Sequence, residues 1–187
     1  MSPHPSSATL IWSHETDTQA FARRLAALPG VRQAFIELQG DLGAGKTTFV
    51  RHLLRELGVQ GRIKSPTYAV VEPHEARQGQ EGEQVLRIWH FDFYRFNDPR
   101  EWEEAGFRDL FASPGLKLAE WPDKAQGMLP TPDLVLQLQV LGQDGPVDPA
   151  PDDDENVDAA EAPAAARQVV LTAATPLGQT LLEALRA

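Results

Sequence analysis

Within eight residues, Gly40-x-x-x-x-Gly45-Lys46-Thr47 brings together flexible main-chain amides, one ammonium group and one hydroxyl. That set suits the tail of a nucleoside triphosphate. Glycines at 40, 43 and 45 let the chain take positive φ and approach oxygen atoms closely, so the amides from Asp41, Leu42, Gly43, Ala44 and Gly45 through Lys46, Thr47 and Thr48 can wrap a phosphate. In this Walker A pattern Lys46 reaches the β/γ-phosphates, Thr47 offers its hydroxyl to Mg²⁺, and the following helix turns its positive end to the anion.

Phosphoryl chemistry also needs a carboxylate near the metal and a group that positions the nucleophile. In Ile88-Trp89-His90-Phe91-Asp92-Phe93-Tyr94-Arg95 alternation puts Ile88, His90, Asp92 and Tyr94 on one strand face, with Trp89, Phe91 and Phe93 on the other. Asp92 is thus a candidate for the Mg²⁺ shell or for orienting a water. Glu120, ending the apolar run Leu116-Lys117-Leu118-Ala119-Glu120, is its rival, and the residues alone leave the two undivided. His90 reads first as a hydrogen-bonded structural residue. Ser65-Pro66-Thr67-Tyr68 follows the glycine loop at the distance where nucleotide-sensing loops offer a hydroxyl, which makes Thr67 a catalytic candidate. Arg95 is a candidate for a charge-stabilising arginine in cis. No Asn-Lys-x-Asp element that would read guanine occurs, so ATP is the expected nucleotide.

The positioning elements follow from periodicity. A helix is expected over Thr16 to Leu28, then a strand over Ala34 to Leu38 running into the glycine loop. Phe49, Val50, Leu53, Leu54 and Leu57 recur at helical spacing until Gly58. Tyr68 to Val71 and Val85 to Asp92 read as strands around a polar loop, His74 to Gln84. Asp98-Pro99-Arg100-Glu101 opens a helix that breaks near Gly106. Strands follow over Leu116 to Trp121, Leu134 to Leu141 and Gln168 to Ala173, and Thr175-Pro176 starts a last helix. Alternating strands and helices define an α/β protein, a three-layer sandwich around a mixed, partly parallel sheet, of the P-loop NTPase type.

With 187 residues and no cysteine, the chain fits a single domain over 1–187, with neither a disulfide framework nor a thiolate metal site. The formal charge of −10 is unevenly spread. Eight of the 27 acids and none of the 17 basic residues lie between Gly142 and Ala166, so the remainder carries only −2. That Ala/Pro-rich stretch has too little apolar surface to offset its ordering entropy and is expected to be a disordered loop. No basic leader and no apolar run of membrane-spanning length appears, so the expectation is a cytoplasmic protein with no membrane partner. Arg51, Arg55, Arg62 and Lys64 give a local positive bias that suits a partner, tRNA, or simply a solvated helix face.

GDLGAGKTTFVR (Gly40 to Arg51), SPTY (Ser65 to Tyr68), HFDFYR (His90 to Arg95) and EW followed by PDKAQGMLP (Glu120 to Pro130) come in the order found in the bacterial TsaE family, which the chain resembles. SHET (Ser13 to Thr16) also looks like that family's start. The resemblance implies an ATP hydrolase of tRNA threonylcarbamoyladenosine synthesis that partners the TsaB–TsaD pair and meets tRNA indirectly through that complex. It further implies that Thr47 and Glu120 ligate Mg²⁺, that Asp92 serves the water or the metal shell, and that Glu15 or Thr16 and Trp121 line the nucleotide pocket. The acidic stretch departs from the family, which has a short turn there. Two other readings stand beside this one: a small-molecule kinase with Asp92 as base, and a nucleotide-gated binding module in which hydrolysis is incidental.

Overall fold

Apolar strands flanked by amphipathic helices build one layered unit in the computed structural model, which describes residues 6–78, 84–142 and 165–186. In chain order the elements are β1 (Ser6–Trp12), α1 (Glu15–Ala26), β2 (Phe35–Gln39), α2 (Lys46–Glu56), β3 (Val71–Gln78), β4 (Gln84–Asp92), α3 (Pro99–Glu104), α4 (Phe107–Ala112), β5 (Leu116–Glu120), β6 (Leu134–Val140), β7 (Arg167–Ala173) and α5 (Pro176–Arg186). Short 3₁₀ turns cover Pro29–Gln33 and Pro122–Ala125.

The seven strands form one sheet in the order β1-β7-β6-β2-β5-β4-β3. β6, β2, β5 and β4 run parallel, and the outer strands β7, β1 and β3 pair antiparallel. Each central strand sends alternate residues to two cores. Leu38, Ile88 and Leu118 join Phe49, Leu53 and Leu25 of the helices on one face. Phe35, Phe91 and Ala119 pack on the other with Trp102 and Phe107 of α3 and α4. Both faces are therefore covered, as a parallel centre requires.

Local signals act largely as expected. Asp98 accepts the Arg100 N–H at 2.9 Å and caps α3. At the end of α2, Gly58 (φ 97°) lets its own N–H reach the Arg55 carbonyl and that of Val59 reach Leu54, closing the helix with a reciprocal pair of bonds. One expectation needs correction, and two elements were not foreseen. Tyr68 to Val71 is mainly a turn, and the strand lies further on at Val71–Gln78, running from His74 into the stretch expected to be loop. Its polar outward residues hide the alternation of buried His74 and Ala76, because an edge strand exposes half its side chains. β1 went unforeseen for the same reason, and α4 adds a second short helix after Gly106. The acidic stretch lies outside the described residues except for Gly142, Ala165 and Ala166. At its root the Leu141 N–H donates to the Ala166 carbonyl at 2.7 Å, continuing the β6–β7 pair.

Candidate functional site

β2, β4 and β5 all end at one edge of the sheet, and the chemistry collects beyond their carboxyl ends, where parallel α/β sheets bind ligands. The β4–β5 register sets Asp92 directly beside Glu120. Both project to the face covered by α2, whose first residues are Lys46 and Thr47. Between β2 and α2 the glycine loop takes φ of 138°, 78° and 101° at Gly40, Gly43 and Gly45. A side chain at Gly40 would put its Cβ 2.3 Å from the Leu138 carbonyl oxygen of β6, so only glycine fits there.

Lys46 is 4% exposed and donates through Nζ to the carbonyls of Gly40 (2.7 Å) and Asp41 (2.8 Å). Its Nζ also sits 3.9 Å from the ring centroid of Trp121. Burial pushes its pKa down, opposed by the charges of Glu120, Asp92 and Asp41. Trp121 reaches that position through a left-handed backbone (φ 56°), a strained turn immediately after Glu120 of the kind that recurs at binding sites.

The two carboxylates, which spacing left undivided, have different hydrogen-bond partners. Thr47 Oγ1 lies 3.0 and 2.9 Å from the two oxygens of Glu120, and His90 Nε2 lies 2.8 Å from Glu120 Oε1. Asp92 Oδ2 instead accepts from Ser65 and Thr67 (2.9 Å to Thr67), and its Oδ1 accepts the Tyr94 N–H at 2.9 Å. The Ser65–Thr67 segment is thereby tied to the end of β4, and the Thr67 hydroxyl is committed to Asp92.

These groups share a cavity of about 600 Å³ lined by Leu42, Gly43, Gly45, Lys46, Thr47, Thr48, Thr67, Asp92, Glu120 and Trp121 among others. Asp41 and Ala44 contribute through backbone: the Asp41 carbonyl holds Lys46, and the Ala44 carbonyl accepts Arg167 Nε at 3.0 Å. Glu15 and Thr16 do not line this cavity. Glu15 is paired with His52 of α2 at 2.8 Å, where α1 packs on α2. Arg95 borders the cavity but stacks 4.3 Å from the Tyr68 ring centroid, while Arg51 and Arg55 donate to the Ile63 and Val59 carbonyls beyond α2. Sequence reasoning missed Arg167 as a cavity residue. Its only signal is that it is the first cation after the acidic stretch; its position beside the loop depends on β7 pairing with β6. A second cavity, about 530 Å³ between Trp102, Phe111 and Leu129, holds none of these groups. Among the described residues no cluster of three or more His, Asp or Glu forms an all-protein metal cage, and no helix is long and apolar enough to cross a membrane.

Fold and site together define an α/β protein with a glycine-rich strand–loop–helix element opening on a polar cavity at the carboxyl edge of its sheet. The family model described as "Threonylcarbamoyl adenosine biosynthesis protein TsaE" matches residues 12–145, and the chain belongs to that family. It is 42% identical over 118 residues to the tRNA threonylcarbamoyladenosine biosynthesis protein TsaE of Haemophilus influenzae, covering 63% of this chain and 70% of the relative. The Bacillus subtilis protein of the same name is 33% identical over 130 residues, covering 68% and 75%. The crystal structure of Bacillus YdiB superposes with a TM-score of 0.66 over 99% of this chain and 97% of that one, at 24% sequence identity, which is a likeness of fold.

Proposed function

We propose that this chain is a Mg²⁺-dependent ATPase of the P-loop NTPase type that works in the cytoplasm with a TsaB–TsaD pair in threonylcarbamoyladenosine modification of tRNA. The observation that carries the reading is Thr47, which begins α2 at the end of the glycine loop with its hydroxyl against both oxygens of Glu120 and with buried Lys46 beside it. Family membership supports the pathway.

The residues present fit the metal. Thr47, Glu120 and Asp92 supply only hard oxygen donors, and a site with one or two carboxylates that leaves the remaining positions to phosphate and water suits Mg²⁺. Thr47 and Glu120 would hold it, and bound there it would neutralise charge on the β- and γ-phosphate oxygens. The loop amides would bind the same oxygens, and the glycines already hold the positive φ such a loop needs. Lys46 would exchange the Gly40 and Asp41 carbonyls for phosphate. Asp92, tied to Ser65 and Thr67, would orient the attacking water. In the net reaction water adds to the γ-phosphorus, the β–γ anhydride bond breaks, and ADP and inorganic phosphate leave.

Of the two arginines described at the cavity, Arg95 is engaged on Tyr68 and Arg167 on the Ala44 carbonyl, so turnover of the isolated chain should be slow, roughly 10⁻⁴ to 10⁻² per second. Phosphate release tests this reading. The wild-type chain should liberate inorganic phosphate from ATP, faster when the partner pair is added, and Lys46→Ala should not. Equal rates for both would refute the hydrolase, and ATP consumption without free phosphate would favour the kinase.

A further inference from the structure

His90 is a fully buried polar ring whose bonding a structural role does not explain. It lies at 0% exposure in β4, and among the described residues its ring makes one hydrogen bond, Nε2 to Glu120 Oε1 at 2.8 Å. Among the described residues its Nδ1 has no partner, nor has Nε2 of His74, whose ring lies nearly parallel to it with centroids 6.5 Å apart. A buried histidine kept for the fold is normally bonded at both nitrogens, and a phenylalanine would fill this space without an orphaned atom.

The hydrogen count around Glu120 supplies the reason. Its carboxylate, 2% exposed, offers two oxygens, and Thr47 has a single hydroxyl hydrogen on an Oγ1 that lies almost equally close to both. One hydrogen cannot satisfy two oxygens or fix the rotation of the group. The second hydrogen comes from His90, whose strand position is rigid: it pairs with Leu118, two residues before Glu120 on the same face of β5.

We infer that His90 is a positioning residue that locks the Glu120 carboxylate by taking Oε1, so that Oε2 and the Thr47 hydroxyl face the metal and nucleotide. The inference rests on the magnesium–nucleotide reading above. Partners that orient a metal-binding carboxylate typically affect metal affinity by about ten- to a hundredfold.

Calorimetric titration of ADP into the full chain, over a series of Mg²⁺ concentrations and in chelator, separates the outcomes. His90→Phe should bind ADP in chelator as the wild type does, yet need about tenfold more Mg²⁺ to gain affinity. His90→Gln, whose amide can donate at the place of Nε2, should need Mg²⁺ within about threefold of wild type, whereas the shorter His90→Asn should behave as Phe does. His74→Phe should match the wild type. Should the Phe variant not fold, the contrast between Gln and Asn decides. A wild-type Mg²⁺ requirement in His90→Phe, or in His90→Asn, overturns the positioning role alone. A wild-type chain whose ADP affinity ignores Mg²⁺ overturns the magnesium reading and the inference with it.

Discussion

Glu120 and Asp92 end neighbouring strands in register, and their hydrogen-bond partners tell them apart. Glu120→Gln keeps the shape but replaces one oxygen by an N–H₂ that cannot accept from Thr47 or ligate a cation. It should lower Mg²⁺-dependent phosphate release by about a hundredfold or more while ADP binding in chelator changes little. Asp92→Asn should instead loosen the Ser65–Thr67 segment, read as faster amide exchange there, with the Mg²⁺ requirement for ADP binding unchanged. A different residue offers a stability test. Burial raises the pKa of Glu37 above the usual carboxylate range, with the charge of Asp123 adding to it and Gln39 opposing. The folded state therefore holds that proton more tightly, and the ionised carboxylate costs stability above the raised pKa but not below the unfolded value. Glu37→Gln should raise Tm by about 1–3 °C at pH 7, a gain that vanishes by pH 4. At this scale the glycine-loop residues that line the cavity were legible because the Walker spacing is local. The different partners of the two carboxylates and the positions of His90 and Arg167 were not, since each depends on which strands become neighbours.

Glycine positions make the corresponding tests for whole elements. Gly40→Ala forces a Cβ to 2.3 Å from the Leu138 carbonyl at a φ of 138°, so the loop must leave its course and nucleotide affinity should fall. Gly178 in α5 meets a similar wall far from the cavity, with a Cβ placed 1.8 Å from the Asp133 carbonyl oxygen. Asp133 is a junction: its carboxylate accepts the Phe35 N–H at 2.8 Å and the Thr175 hydroxyl, and its N–H donates to the Phe35 carbonyl, stitching β2 to the start of α5. Gly178→Ala should therefore cost about 1–3 kcal/mol by chemical denaturation and leave nucleotide affinity intact in the folded protein. The central strands and long helices could be read from periodicity because both their faces, or one continuous stripe, are apolar. The edge strands β1 and β3 were misread because half of each is polar and only pairing with β7 or β4 makes them strands.

At the scale of the molecule, the acidic stretch leaves β6 and rejoins at β7, strands already paired antiparallel. Replacing residues 143–164 by a two-residue Asn-Gly turn should therefore preserve the fold and the response to nucleotide, with stability unchanged or slightly higher because a shorter connection costs less to close. A ligand that binds only the native state stabilises it by about 2.7 kcal/mol at a hundred times its Kd. Mg²⁺ with ADP at that excess should accordingly raise Tm by about 5–10 °C in the wild type and far less in Lys46→Ala.

The most direct probe of the central claim is hydrogen exchange of the backbone amides with and without Mg²⁺ and ADP. The account predicts slowed exchange at Gly43 through Thr48, with Glu120 and Trp121 close behind. Unchanged exchange in the glycine loop, with protection appearing instead around the cavity of Trp102, Phe111 and Leu129, would contradict it.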